Sequence, residues 1–297
     1  MSVRIIEARE EVGDVVSEIG EGPIWDDRFG VLRWVDIDRG LVHGWDPDRG
    51  PLPALDVGQN VGFVVPSGTD RLLAGLRDGF ALLDLDGAIV EMLHAFDHDR
   101  PDMRVNDGKA DPAGRVWAGT CNIACDEPVG TLYRLGSDGS AEPQMTDLTI
   151  SNGLGWSPDG TRMYFTDTTW GRVDAFAYDT ATGEWSDRRP FVEIPPEVGE
   201  PDGLTVDEDG CVWLAMWRGA AVHRYTPDGR LDTIVRVPAL ETTSCAFGGE
   251  DHRDLFITSA TVGLTEQEWA DHPRSGRVFT CRPGATGLRT DAFVPAS

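Results

Sequence analysis

SNGLGWSPDG, residues 151–160, holds two turn-forming pairs, Asn152-Gly153 and Asp159-Gly160, around a short strand-like core of Leu154, Gly155 and Trp156. A single hairpin needs only one such pair, so Asn152 requires another reason. The stretch is not alone. NVGFVVPSG from Asn60, NDGKADPAG from Asn106, NGLGWSPDG from Asn152 and DGLTVDEDG from Asp202 each open on Asn or Asp and close on a turn glycine. Each leads into an alternating strand: RLLAGL, RVWAGT, TRMYFTDT and CVWLAMW. Starts at 60, 106, 152 and 202 are 46, 46 and 50 residues apart, the period of four-stranded propeller blades.

Two looser copies flank these four. EGPIWDDRFG from Glu21 precedes VLRWVDI, and TSCAFGGEDHRD from Thr243 precedes LFITSA. Six copies predict an all-β, six-bladed β-propeller with four-stranded antiparallel blades, spanning residues 1–297 as a single domain. A β-sandwich has no reason for six copies, and a β-helix coil would be shorter. Between the boxes, runs such as VHGWDP, TLYRLGSDG and VHRYTPDG end in turn chemistry. TEQEWADHP, residues 265–273, is the one modest helical segment. SVRIIEA, residues 2–8, is expected to complete the last blade beside the C-terminal strands, and Trp34, Trp117, Trp156 and Trp213 to pack between blades.

Charge and composition narrow the partners. Against 26 Lys and Arg stand 51 Asp and Glu, a formal net charge of −25, which repels nucleic acid and anionic lipid alike. MSVRIIEAREEVGDVV has neither the basic start nor the apolar run of a signal peptide, and no stretch reaches the ~20 apolar residues of a membrane span. Five scattered cysteines, an odd number, point to a reduced, cytoplasmic protein. Cys121 and Cys125 are close enough to bridge or to share a metal, but without His partners they read as plain thiols. His43, His94, His98, His223, His252 and His272 fall off the repeat's phase; HAFDHDRPD reads as a loop carrying His94 and His98.

In a propeller the innermost strands run the same way along a central channel, so equivalent repeat positions meet at one mouth. Those positions are Glu21, Asn60, Asn106, Asn152, Asp202 and Thr243 or Ser244. They are rich in side-chain oxygen and contain no His or Cys, which suits a hard divalent cation, Ca²⁺ first, with Mg²⁺ or Mn²⁺ as alternatives. The glycines that follow would let the backbone bend close to the ion. Asn-Gly and Asp-Gly are ordinary turns, but turn chemistry does not require four of them in phase.

GEGPIW (20–25), RVNDGKADPAGRVWAGT (104–120), SNGLGWSPDG (151–160), EPDGLTVDEDGCVWLAMW (200–217) and FITSATVGL (256–264) together resemble the SMP-30/gluconolactonase/LRE family. These six-bladed propellers include regucalcin and bacterial sugar lactonases. The resemblance spans essentially the full length. It implies that Glu21, Asn152 and Asp202 are metal ligands and that Asp202 is also the general base. By the same resemblance Arg104 and Asn106 contact a sugar lactone. A further substrate-contacting Glu of the family falls in CDEPVGTLYRL, where Asp126 sits at its offset with Glu127 beside it. Cys121 stands where many relatives have Met.

The expected function is a metal-dependent sugar lactonase, gluconolactonase-like, that hydrolyses aldonolactones to aldonic acids, working as a monomer or small homo-oligomer. Its cofactor is one divalent metal ion, Ca²⁺ favoured, with Zn²⁺, Mg²⁺, Mn²⁺ or iron as alternatives. Other expectations are a non-enzymatic, regucalcin-like Ca²⁺-binding propeller, or a propeller esterase or phosphotriesterase on the same ion. No G-x-S-x-G, H-E-x-x-H, P-loop or G-x-G-x-x-G following a strand supports a different chemistry.

Overall fold

A computed structural model describes residues 2–96 and 100–296. Its strands fall into six sheets. The first runs Gly20–Asp26, Val31–Asp36, Leu41–Asp46 and Gly50–Asp56, each strand antiparallel to the one before. The inner strands of the six sheets are Gly20–Asp26, Val61–Ser67, Met103–Ala110, Ser151–Trp156, Glu200–Val206 and Glu241–Gly248. Each touches the next, and the sixth touches the first, so the sheets close into a ring. This is the six-bladed propeller that the six boxes predict.

Burial on both faces explains the composition of the blades. Met163, Tyr164 and Phe165 are consecutive in one strand and all buried, as befits a sheet covered on either side by a neighbour. The tryptophans work between blades as expected. Trp117 joins Leu154, Trp156 and Met163 of the following blade in one cluster, and Trp25 stacks on Phe256 of the sixth blade with ring centroids 5.8 Å apart. Asp159-Gly160 is the hairpin turn between the first two strands of its blade: the Gly160 N–H donates to Ser157 O at 2.8 Å, with φ at 67°.

Closure differs from the expectation. Within SVRIIEA, Arg4–Glu7 does not join the last blade; it adds a fifth strand, parallel, to the outer edge Leu231–Arg236 of the fifth. Glu10–Glu11 completes the last blade against Phe279–Cys281. Ile6 and Ala8 enter a cluster that the two blades share, with Val222 and Val235 of the fifth and Leu255 and Phe279 of the sixth, while Val12 belongs to the Trp25–Phe256 cluster. The N-terminal segment thus ties two blades together. His94 is also not in a loop: it ends the strand Ile89–Ala95, opposite Phe80 and beside Phe96. His98 lies outside the described residues. TEQEWADHP does form a helix, Glu266–Asp271, with a reciprocal capping box between Thr265 and Glu268. Among the described residues no helix is long and apolar enough to cross a membrane.

One irregularity recurs in all six blades. The pairing of each inner strand with its neighbour slips near its start: Glu21/Ile24, Val61/Phe63, Val105/Gly108, Asn152/Leu154, Pro201/Leu204 and Thr242/Ser244. Such bulges re-aim side chains out of the sheet's alternation, here at the positions the repeat aligns. The glycines beside them let neighbouring strands pack closely. A Cβ on Gly62 would lie 2.6 Å from Val105 O and 2.7 Å from Asn106 O, and one on Gly153 would lie 2.5 Å from Asp202 O. Gly62→Ala should therefore lower stability by about 1–3 kcal/mol, read as a fall in Tm of similar size with or without divalent cation.

Candidate metal and substrate site

The bulges gather three carboxylates at one mouth of the channel. Glu21, Asp107 and Asp202 are all buried. Glu21 Oε2 accepts the Gly22 N–H at 2.8 Å and Asp107 Oδ1 accepts the Gly108 N–H at 2.7 Å; the Gly203 N–H serves Asp202 in the same way. Each acid therefore uses the amide of the glycine that follows it. Those single bonds do not offset the loss of water. Burial first, and then the charge of Asp107, push Glu21 up to about 8. Burial, followed by the charges of Glu21 and Asp107, pushes Asp202 well above the usual carboxylate range, against the Gly203 N–H and the Asn152 amide. Asp107 is raised by burial, with Lys109 acting against it.

Asn152 completes this set. Its Nδ2 donates to Thr168 Oγ1 at 3.0 Å, and that hydroxyl in turn donates to Pro201 O at 2.9 Å, next to Asp202 in the chain. Among the described residues its Oδ1, which is buried, has no hydrogen-bond partner, and the same holds for Asp202 Oδ1. Two buried acceptor atoms without donors, in a pocket of like charges, are a combination that a cation would satisfy. The donors are all oxygen, which fits a hard divalent ion. Among the described residues no three His, Cys, Asp or Glu side chains converge as a metal-holding group, so such an ion would depend on the amide oxygen of Asn152 as well as on Glu21 and Asp202.

Arg104 and Asn106 stand at the same mouth. Arg104 donates from one guanidinium nitrogen to Asn106 Oδ1 at 2.6 Å and to Val105 O at 3.2 Å, and from the other to Cys125 Sγ at 3.6 Å. Its Nε is buried and unpartnered. Asn106 Nδ2 donates to Ser151 O at 2.8 Å, so both ends of that amide are engaged within the protein.

The remaining predicted residues lie apart from this cluster. Asp126 is exposed in the turn after the strand Val116–Asn122, where its Oδ1 accepts from Asn122 Nδ2 at 2.7 Å. Glu127 is exposed too, held by Arg100 at 2.8 and 3.0 Å. Asn60 turns to Asp38 Oδ1 and Ile37 O, and Thr243 Oγ1 donates to Gly20 O, tying blade six to blade one.

Two residues of the site escaped the sequence reading. Asp107 follows Asn106 in the NDG box, and the signal for it was the acid-glycine pairing it shares with Glu21 and Asp202. Lys109, two residues on, donates to Leu204 O at 2.6 Å; burial lowers its pKa and Asp107 and Glu21 oppose that shift. Lys109 also lines a cavity of 590 Å³ walled by the last residues of the inner strands, including Ile24, Val65, Trp156, Val206 and Phe247. That cavity is at the far end of the channel from the acids, since all six inner strands run from one mouth to the other.

Comparison with known proteins identifies the family. The family model described as SMP-30/Gluconolactonase/LRE-like region matches residues 19–261. Regucalcin of Xenopus laevis is 34% identical over 292 residues, covering 95% of this chain and 96% of that protein. The 6-deoxy-6-sulfogluconolactonase of Pseudomonas putida is 35% identical over 279 residues, covering 94% and 96%. The crystal structure of regucalcin from Agrobacterium tumefaciens, described as a calcium-binding protein, superposes with a TM-score of 0.93 at 27% identity, covering 98% of this chain and 99% of that one.

The raised carboxyls make a pH prediction. A carboxyl whose pKa is higher folded than unfolded binds its proton more tightly in the native state, so its contribution is complete below about 4.5 and is lost as pH rises toward about 8. Chelator-stripped protein should accordingly lose Tm across that window. Added Ca²⁺ should restore more Tm at the upper end than at the lower, and should release protons at pH 7, measured with an indicator dye in weak buffer.

Proposed function

We propose that the chain, which belongs to the SMP-30/gluconolactonase/LRE-like family, is a lactonase that opens sugar lactones to aldonic acids with a divalent cation held by Glu21, Asn152 and Asp202. The observation that carries this reading is the pair of unpartnered buried oxygens, Asn152 Oδ1 and Asp202 Oδ1. A divalent cation bound there would polarise the lactone carbonyl and make water more acidic. The names of lactonase relatives support the substrate class.

The chain's own residues supply the other parts. Asp202, as carboxylate, takes a proton from the attacking water and can return it to the ring oxygen as the ester bond breaks. Arg104 is held in one orientation by Asn106 and Val105 O, which leaves its unpartnered Nε as the donor for a substrate hydroxyl or for developing oxyanion charge. Asn106 then acts by orienting Arg104, since its own donor and acceptor are both in use. Asp126, exposed near Cys125, is better placed than the Arg100-bound Glu127 to reach a substrate at the mouth. The aldonate product is an anion, and a chain of net charge −25 gives it no long-range attraction.

Asp202→Ala and Asn152→Ala should each cut lactone hydrolysis by roughly 10²- to 10⁴-fold, with the far-UV circular dichroism of the parent retained. Prior chelation should do the same, reversibly. Undiminished activity in metal-free protein would overturn the proposal. Across gluconolactone, xylonolactone, aryl esters and organophosphates, the sugar lactones should give the highest kcat/KM. Faster turnover of aryl esters would make the protein an esterase, and tight cation binding with no turnover would make it a binding protein.

A further inference from the structure

Cys121 and Cys125 stand beside Arg104, and the proposed chemistry does not use them. Cys121 is fully buried near the end of the strand Val116–Asn122, directly across the ladder from Arg104. Cys125 is half-buried in the turn that follows, where its N–H donates to Asn122 O at 2.9 Å and its φ is 55°. The sulfurs are 3.7 Å apart, with both thiols free. Cys125 Sγ also takes the 3.6 Å contact from Arg104. Cys211, Cys245 and Cys281 lie in strands or turns of the fifth and sixth blades, away from this pair.

We propose that Cys121 and Cys125 are a redox-active dithiol that a hydroperoxide closes to an intramolecular disulfide, breaking the Arg104–Cys125 contact and weakening the site's grip on its substrate. A disulfide requires a sulfur separation of about 2.05 Å, which two sulfurs already touching on a short turn reach by side-chain rotation. The two thiols differ as attacking and resolving groups must. The hydrogen bond from Cys121, and after it the Arg104 charge, bring Cys125 down to about 6 against its partial burial; that same hydrogen bond and burial raise Cys121. Cys125 is the accessible thiolate and Cys121 the shielded thiol behind it.

The chemistry balances with a hydroperoxide as oxidant. The Cys125 thiolate attacks the outer oxygen, the O–O bond breaks, and the departing alkoxide or hydroxide takes a proton from water, leaving Cys125 as sulfenic acid. Cys121 sulfur then attacks the Cys125 sulfur and gives up its proton; the S–O bond breaks, and the hydroxyl leaves as water. Two thiols and one hydroperoxide become one disulfide, one alcohol or water from the hydroperoxide, and one further water. A dithiol reductant reverses the result by exchange. In the disulfide neither sulfur is anionic, so Arg104 keeps only the Asn106 and Val105 contacts.

The effect on turnover rests on the lactonase reading, whereas the disulfide itself does not. One tryptic peptide, residues 116–134, contains both cysteines. After treatment of the native protein with hydrogen peroxide, that peptide should be lighter by two hydrogens and should resist iodoacetamide until dithiothreitol is added. In Cys121→Ser the reaction should stop at a dimedone-trappable sulfenic acid on Cys125, and Cys125→Ser should show no oxidation at residue 121. For the unaltered protein, kcat/KM on gluconolactone should fall roughly five- to tenfold on oxidation and recover on reduction, while Cys125→Ser shows no such reversible fall. Addition of oxygen to the peptide without disulfide, while lactone turnover is intact, would overturn the proposal. A disulfide that leaves kcat/KM unchanged would overturn the coupling to Arg104. A disulfide in a protein that turns over no lactone in either state would sink the lactonase reading and leave the dithiol standing.

Discussion

Three carboxyl groups held together out of water are the constraint from which the rest of the molecule is best understood. Glu21, Asp107 and Asp202 come from the first, third and fifth inner strands, so they meet only because the ring closes and the strands run in one direction. Bulges lie beside the repeat positions in all six blades, and glycines such as Gly62 and Gly153 let neighbouring strands approach within backbone contact. A neutral core at this point would be easier to build. The acids stand there with Lys109 and Arg104 as nearby cations and, among the described residues, two oxygens without donors, the arrangement on which the proposed cation site rests.

The same strands separate two environments along the channel. Their first residues carry the acids and the Arg104–Asn106 pair; their last residues wall the cavity at the opposite mouth. Lys109 stands between, bonded to the Leu204 carbonyl and electrostatically coupled to Glu21 above and to Asp291 in the C-terminal segment below. Around this axis, interlocking aromatic clusters such as Trp25 with Phe256 and Trp213 with Phe247 set the angle between blades. The rim is where this chain sets its own character: Cys125, touching Arg104, puts a thiol against the residue that the proposed mechanism uses to hold substrate.

Phase in the repeat placed Glu21, Asn152 and Asp202 among six positions at one mouth, because a position that recurs every blade must return to the same end; the family resemblance, not phase, singled out those three. Phase could not separate a side chain that faces the axis from one that does not. Asn60 shares the box with Asn152, yet it bonds to Asp38; Asp107 lies one residue off phase and is brought in by a bulge that alternation does not reveal. Closure was misread for a related reason. SVRIIEA has the pattern of an edge strand, and the cluster that Ile6 and Ala8 enter is shared by the fifth and sixth blades, so the apolar pattern alone does not choose between their two open edges. Asp126 and Glu127 sit on a turn whose shape is set by Asn122 and Arg100 through side-chain bonds invisible to any periodicity.

The claim on which the account turns is that Asn152 exists to offer its amide oxygen to a cation, together with Glu21 and Asp202. Crystals of chelator-stripped protein soaked in Mn²⁺ and measured for anomalous scattering would test it directly. The account predicts one strong peak within about 2.0–2.3 Å of Asn152 Oδ1, Asp202 and Glu21 oxygens. A map with no peak there at saturating Mn²⁺, or with the ion bound elsewhere while Asn152 only closes its turn, would contradict it.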